Sequence, residues 1–249
     1  MLRYYSAVVV LILILAASSA ASGGGVYIDD LSITNGDVTV FSDSFDDGDV
    51  SDWHSMKDAM LSPNSSSSPA SMHLNWHGGS LAQAFHSIAI ASPGLIEASA
   101  RVWLPPVQEQ YNWSHGEISS ASISLHSASS ASNLYAGIEL WPGETGYRLS
   151  LGRNEPGASV SYVTGAPYLF PDTWGLITMR VDPSASSARM YLDGIEQCIV
   201  SFHPQCFQSY DGISLYGNLG NGVTPEPSSL IILGSALPLL AGGLLRRRR

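Results

Sequence analysis

The feature that most constrains this chain is alternation with a period of two. Ile96, Ala98, Ala100, Val102 and Leu104 share one parity, and Glu97, Ser99, Arg101 and Trp103 share the other. The same pattern recurs in Leu134–Trp141, Tyr147–Leu151 and Ile177–Asp182. Side chains of a strand point alternately to its two faces, so each run reads as a half-buried strand. Further strands are predicted at 26–33, 39–45, 71–76, 118–126, 160–164, 188–192, 195–201 and 213–216. Long helical patterns are absent between Gly23 and Gly222. So many short strands in one segment predict an all-β fold, a two-sheet antiparallel β-sandwich over residues 23–222.

The punctuation agrees. Leu192-Asp193-Gly194-Ile195 sets Asp-Gly between two strand-like runs, the signal of a two-residue hairpin. Asn64–Pro69 is nearly all serine and has no apolar surface to bury, so it reads as an exposed loop. Leu104-Pro105-Pro106 ends a strand, because proline cannot continue the ladder.

The two ends have another character. Arg3 precedes an apolar run, Ala7–Ala17, and small residues follow at 18–22. That order is a secretory signal peptide over residues 1–22, handled by Sec-type export machinery. At the other end Pro225-Glu226-Pro227 leads into an apolar span, 228–245, and then Arg246, Arg247, Arg248 and Arg249. As a helix, eighteen residues rise about 27 Å, roughly one hydrocarbon thickness. Arginines directly after a span stay cytoplasmic. This tail, residues 223–249, resembles the PEP-CTERM sorting signal of Gram-negative bacteria. The resemblance implies transient recognition of the tail by a membrane-embedded exosortase. The protein would then be delivered to the envelope, the cell surface or an extracellular matrix. An ordinary C-terminal anchor without processing is the alternative.

Charge bears on partners once the ends are set aside. Without Arg3 and Arg246–Arg249, six of eleven basic residues remain; without Glu226, twenty of twenty-one acidic ones remain, for a formal charge of −14. Nucleic acid and anionic membranes are poor partners for such a domain. Cys198 and Cys206 are its only cysteines. In an oxidising compartment this close pair is expected to form a disulfide.

Trp174–Gly194 reads as tryptophan, alternating apolar residues, Val181-Asp182, a loop of small residues, then Met190-Tyr191-Leu192-Asp193-Gly194. It resembles the penultimate hairpin of concanavalin A-like lectin/glucanase domains, the laminin-G-like jelly rolls. Ser44–Trp53 resembles the opening strand of exported members.

Three constellations bear on function. Asp43, Asp46, Asp47, Asp49 and Asp52 fall within ten residues, with Gly48 permitting a sharp turn. Calcium takes six to eight oxygen ligands. The resemblance implies a structural Ca2+ near the opening strand, held by Asp43, Asp46, Asp47 and Asp49 with help from Asp211. The competing reading is a solvated acidic turn. Trp103, Tyr135 and Trp141 alternate with small aliphatics, which puts them on an outer sheet surface when the aliphatics face the core. Indole and phenol rings stack on the apolar faces of sugars, so these three are the candidate glycan-binding residues.

The third constellation is incomplete. Gly116–Ser122 aligns with a laminarinase-like Gly-Glu-Ile-Asp-x-x-Glu strand, yet only Glu117 keeps a carboxylate, with Ser119 and Ser122 at the other acidic positions. Retaining glycoside hydrolysis needs two carboxylates about 5 Å apart. The expectation is therefore an exported, non-enzymatic protein, structural, adhesive or glycan-binding in an exopolysaccharide or biofilm setting. A glycan-active enzyme with an unrecognised site is the alternative.

Overall fold

A computed structural model describes residues 26–63, 65–66, 69–74, 82–103, 119–128, 131–140, 147–157, 161–169 and 173–219; residues 119–120, 140, 161–169 and 218–219 are described by backbone alone. The signal peptide, the Pro-Glu-Pro tail with its apolar span and arginines, Trp141 and Glu117 lie outside the described residues.

In chain order the strands are β1 (Val26–Asn35), β2 (Val38–Asp43), β3 (His54–Lys57), β4 (Ala59–Ser62), β5 (Ser71–Leu74), β6 (Ala82–Ile90), β7 (Ile96–Trp103) and β8 (Ser119–Ser127). Then come β9 (Asn133–Leu140), β10 (Tyr147–Asn154), β11 (Ser161–Leu169), β12 (Trp174–Asp182), β13 (Ser187–Leu192), β14 (Ile195–Ser201) and β15 (Tyr210–Leu219). They form two antiparallel sheets. An eight-stranded sheet runs β14-β13-β12-β7-β1-β5-β4 with β2 paired to β1, and a seven-stranded sheet runs β11-β10-β9-β8-β15-β6-β3. The expected two-sheet sandwich is the fold.

Alternation does the sorting. Ile96, Ala98, Ala100 and Val102 of β7 are fully buried, while Glu97, Ser99, Arg101 and Trp103 are only partly covered. Ile177 and Met179 of the same sheet join Ile123, Ala136, Ile138 and Leu149 of the other in one core. Each such aliphatic contributes about 1.5–3 kcal/mol by leaving water. The Asp-Gly hairpin forms as read: Leu192 pairs with Ile195, and Asp193 and Gly194 have φ of 49° and 82°. Two positive φ values are what the twist of a two-residue hairpin requires.

Strands β3, β4 and β6 were not legible. In β6, Ala-Gln-Ala-Phe-His-Ser-Ile-Ala-Ile, alanine and histidine hold the inward parity and phenylalanine the outward one, so the polarity contrast is weak. Strands β3 and β4 have four residues each, and pairing to β6 and β5 defines them.

Two buried carboxylates tie connections to the sheets. Asp29 accepts hydrogen bonds from the backbone N–H of Ser66 at 2.8 Å and its hydroxyl at 3.0 Å, pinning the serine-rich loop. Glu155 accepts from the His203 N–H at 2.7 Å and from Arg153 at 3.2 Å, holding the segment between β14 and β15.

Candidate functional site

The outward face of the seven-stranded sheet carries the most developed polar constellation. Register places Phe85, Ser214, Ser124, Tyr135 and Gly152 in one row across β6, β15, β8, β9 and β10. The next row carries Gly212, His126, Asn133 and Asn154. These residues have the parity opposite to the buried Ile123, Leu125, Leu134 and Ala136, so they face away from the core.

Two glycines shape the aromatic part. A Cβ on Gly152 would collide with the Tyr135 ring, and one on Gly212 would collide with Phe85. Each ring therefore lies against bare backbone of the adjoining strand, which only glycine permits. Phe85 also meets the His126 ring edge-on, with centroids 5.7 Å apart and planes at 67°.

The polar part is a pair of linked hydrogen bonds. His126 Nε2 and Ser214 Oγ are 2.7 Å apart. Asn133 Nδ2 donates to Ser124 Oγ at 3.0 Å. Both serines are fully buried. Burial pushes the His126 pKa below its ordinary 6.5, with the nearby Asp211 charge opposing. Neutral imidazole therefore prevails at pH 7, and Nε2 can accept from the Ser214 hydroxyl. Burial raises the Tyr135 pKa, and the Glu139 charge adds to it. Asn133 Oδ1 is buried and has no hydrogen-bond partner.

Of the three expected glycan-binding aromatics, Trp141 lies outside the described residues, and Trp103 and Tyr135 belong to different sheets. Trp103 ends β7 in the eight-stranded sheet, where it meets Tyr27 edge-on with centroids 5.0 Å apart. Tyr135 belongs to β9 in the other sheet. Both stand outward as alternation requires, but on opposite sides of the sandwich, so they share no groove. Alternation assigns a residue to a face of its own strand and is silent on which sheet that strand joins.

The acidic cluster begins at the end of β2 and runs through the loop that follows it. Asp30, Asp43, Asp46 and Asp47 line an open cavity of about 420 Å³ with Ser42 and Ser44. Among the described residues no group of three or more ligating side chains converges well enough to hold a metal. The carboxylates hydrogen-bond within the loop. Asp43 accepts from the Phe45 N–H and from the Trp53 indole, both at 2.7 Å. Asp47 accepts from the Asp49 N–H at 2.9 Å and Asp49 from the Ser51 N–H at 2.8 Å. Burial is the main cause of the raised Asp43 pKa, those two hydrogen bonds oppose it, and Asp47 and Asp52 add to it. Asp211 sits in the β15 bulge and acts on His126 rather than on Asp43.

The expected Cys198–Cys206 disulfide is not formed in the structure. Cys198 pairs with Met190 in the β13–β14 ladder, while Cys206 closes a 3-10 turn, Pro204–Cys206. Both pack against the core separately. Burial pushes the Cys198 thiol up to about 11, with the Glu196 charge adding.

The laminarinase-like strand differs as well. β8 pairs with β9 without a break from Ser119 opposite Leu140 to His126 opposite Asn133. Positions 119 and 122 are three apart in a regular strand, so they fall on opposite faces. Sequence reasoning missed Phe85, Asn133, Ser124 and Ser214 and gave His126 no role. The Ser122-x-Ser124-x-His126 alternation was the available signal.

No family model matches the chain, and no curated protein does. Solved structures do. An endo-1,3-β-glucanase from Streptomyces sioyaensis is similar at 12% identity and TM-score 0.40, over 80% of this chain and 90% of its own. An endo-β-1,3-glucanase from Pyrococcus furiosus is similar at 16% identity and TM-score 0.39, over 69% of this chain and 68% of its own. A tetrameric galectin from the ball sponge Cinachyrella sp. is similar at 18% identity and TM-score 0.36, over 56% of this chain and 92% of its own.

Proposed function

We propose that this is an exported, non-hydrolytic carbohydrate-contacting protein whose working surface is the outward face of the seven-stranded sheet. The observation that carries the reading is that Phe85 and Tyr135 stand in one row, each against the backbone of a glycine, with His126 and Asn133 in the adjoining row. A sugar ring has apolar C–H faces and a rim of hydroxyls, and that combination answers both features.

Carboxylate placement supports the non-hydrolytic part. Among the described residues, the acids outward on this face are Asp211, at the level of Asn133, and Glu139, six residues further along β9. At about 3.3 Å per residue they stand roughly 20 Å apart. Hydrolysis needs carboxylates about 5 Å apart for retention and about 6.5–9.5 Å for inversion.

Export rests on the two ends of the chain. A signal peptide and a Pro-Glu-Pro tail with its arginines fit release by an exosortase into the envelope or matrix, where an exopolysaccharide is the ligand at hand. Intact-mass measurement of protein from its native host tests this. Loss of the residues beyond about Pro227 is expected, and a mature form still ending in Arg249 overturns processing.

The contact itself is tested with full-length protein in detergent against neutral and acidic oligosaccharides by calorimetry. Saturable binding that weakens about tenfold in Tyr135→Ala is expected. New reducing ends from a β-glucan would favour the hydrolase reading, and no binding to any oligosaccharide would sink the proposal.

A further inference from the structure

We infer that Asn133 is the ligand-selecting residue of this face, its side-chain oxygen receiving a hydroxyl hydrogen from a neutral sugar. This rests on the carbohydrate reading above and goes beyond it by naming the accepting atom and the charge class of the ligand.

Asn133 opens β9, opposite His126 on one side and Asn154 on the other. Its Nδ2 donates to Ser124 Oγ at 3.0 Å. The other end, Oδ1, is buried and unpartnered. An amide oxygen accepts two hydrogen bonds, and a buried acceptor left without any destabilises the fold by about 1–3 kcal/mol. Native structures leave few such groups. Of the serines in the adjoining row, Ser124 Oγ meets the Nδ2 end of the amide and Ser214 Oγ lies with His126. The missing donor has to come from outside the described residues, and a ligand on this face can supply it.

The surroundings set the class. His126 lies on the strand next to Asn133, and the Phe85 ring, two strands further on β6, meets it edge-on and offers an apolar surface to a sugar's C–H face. An acidic sugar would bring an acceptor to an acceptor. It would also approach the exposed Asp211 carboxylate, on a domain with a formal charge of −14. A neutral hexose brings donors and no charge. The unsatisfied oxygen then belongs to binding: its stability cost in the free protein is relieved when a hydroxyl arrives.

The test pairs affinity with stability on full-length protein in detergent. The probes are neutral gluco-, manno- and galacto-oligosaccharides and an oligo-uronate, titrated into wild type, Asn133→Ala and Tyr135→Ala. Wild type is expected to bind a neutral oligosaccharide and not the uronate. Asn133→Ala is expected to lose about tenfold or more in affinity, the value of a hydrogen bond to a buried acceptor. Its melting temperature should stay within about 2 °C of wild type, because removing the orphaned oxygen offsets the lost hydrogen bond to Ser124. If Tyr135→Ala weakens binding and Asn133→Ala does not, the carbohydrate reading stands and this inference falls. A drop of several degrees in Asn133→Ala with unchanged affinity identifies a water-satisfied structural amide, which also overturns it. Preference for the uronate overturns the charge class, and failure of wild type to bind any probe overturns both readings.

Discussion

The two outward faces of the sandwich satisfy their polar groups in different ways. On the eight-stranded sheet, charges close on one another. Arg180 reaches Glu97 at 2.6 Å and lies 4.6 Å over the Tyr191 ring, Arg189 reaches Glu196 at 2.8 Å, and Arg101 reaches Asp30 at 3.4 Å. The Tyr191 hydroxyl also donates to Glu196. On the seven-stranded sheet the central groups are neutral and small, the rings rest on glycine backbone, and one acceptor stays open. A face of long, mutually paired side chains tolerates change and offers little unmet chemistry. A face of close-fitted small residues tolerates little. The acidic edge of the molecule illustrates the first condition again, since its carboxylates are occupied by their own backbone.

The comparison breaks most visibly at Asp29, the buried acid of the eight-stranded sheet. Asp29→Ala leaves the Ser66 and Asp30 N–H groups without their acceptor and is expected to destabilise by about 3 kcal/mol. Urea unfolding measures it, and a loss below about 1 kcal/mol would show that the loop is not clamped there. Next is Gly152→Val, which drives a side chain into the Tyr135 ring and should cost about 1–3 kcal/mol as overpacking. A wild-type midpoint in urea would mean that the ring moves freely and the face is not close-fitted.

His126 sharpens the contrast through pH. Its pKa is lower in the folded state than the ordinary 6.5 because of burial, so the unfolded chain binds the proton more readily. This contribution to stability is fully present above about 6.5 and declines as pH falls from there toward the folded value. Urea midpoints at pH 7.5 and pH 5 should show that decline, and His126→Gln should remove its share. An equal decline in both proteins would place the effect elsewhere. The smallest effect is expected from Arg180→Ala. Its ion pair with Glu97 is largely exposed, so stability should change by no more than about 0.5 kcal/mol, and less at high salt.

Most of the strands could be read from period alone, because burial of one face imposes parity on every residue of a strand. Ile96–Trp103 shows this: the expected inward and outward sets are the observed ones. The Asp193-Gly194 turn was legible because its backbone demands those residue types. β6 was not, since alanine and histidine on its inward parity and phenylalanine on its outward one conceal which side is buried. The candidate site was legible in fragments. Alternation marks Tyr135 as outward, but of the two tryptophans grouped with it Trp103 belongs to the other sheet and Trp141 lies outside the described residues. Phe85 and Asn133 drew no notice, because neither is unusual in its own strand.

What the sequence determined by itself was local: the parity of the strands, the tight turn, the charge of the domain and the chemistry of its two ends. Those features follow from backbone geometry and solvent exposure within a few residues, so one stretch of chain contains the whole cause. Only the tertiary structure decided which strands are neighbours, and with that the site. Phe85, Gly212, His126 and Asn133 come from four strands, and their proximity is set by sheet order and register. Tertiary packing also buried Asp29 and Glu155 against backbone N–H groups of distant segments, since hydrogen-bond satisfaction and burial act on neighbours in space.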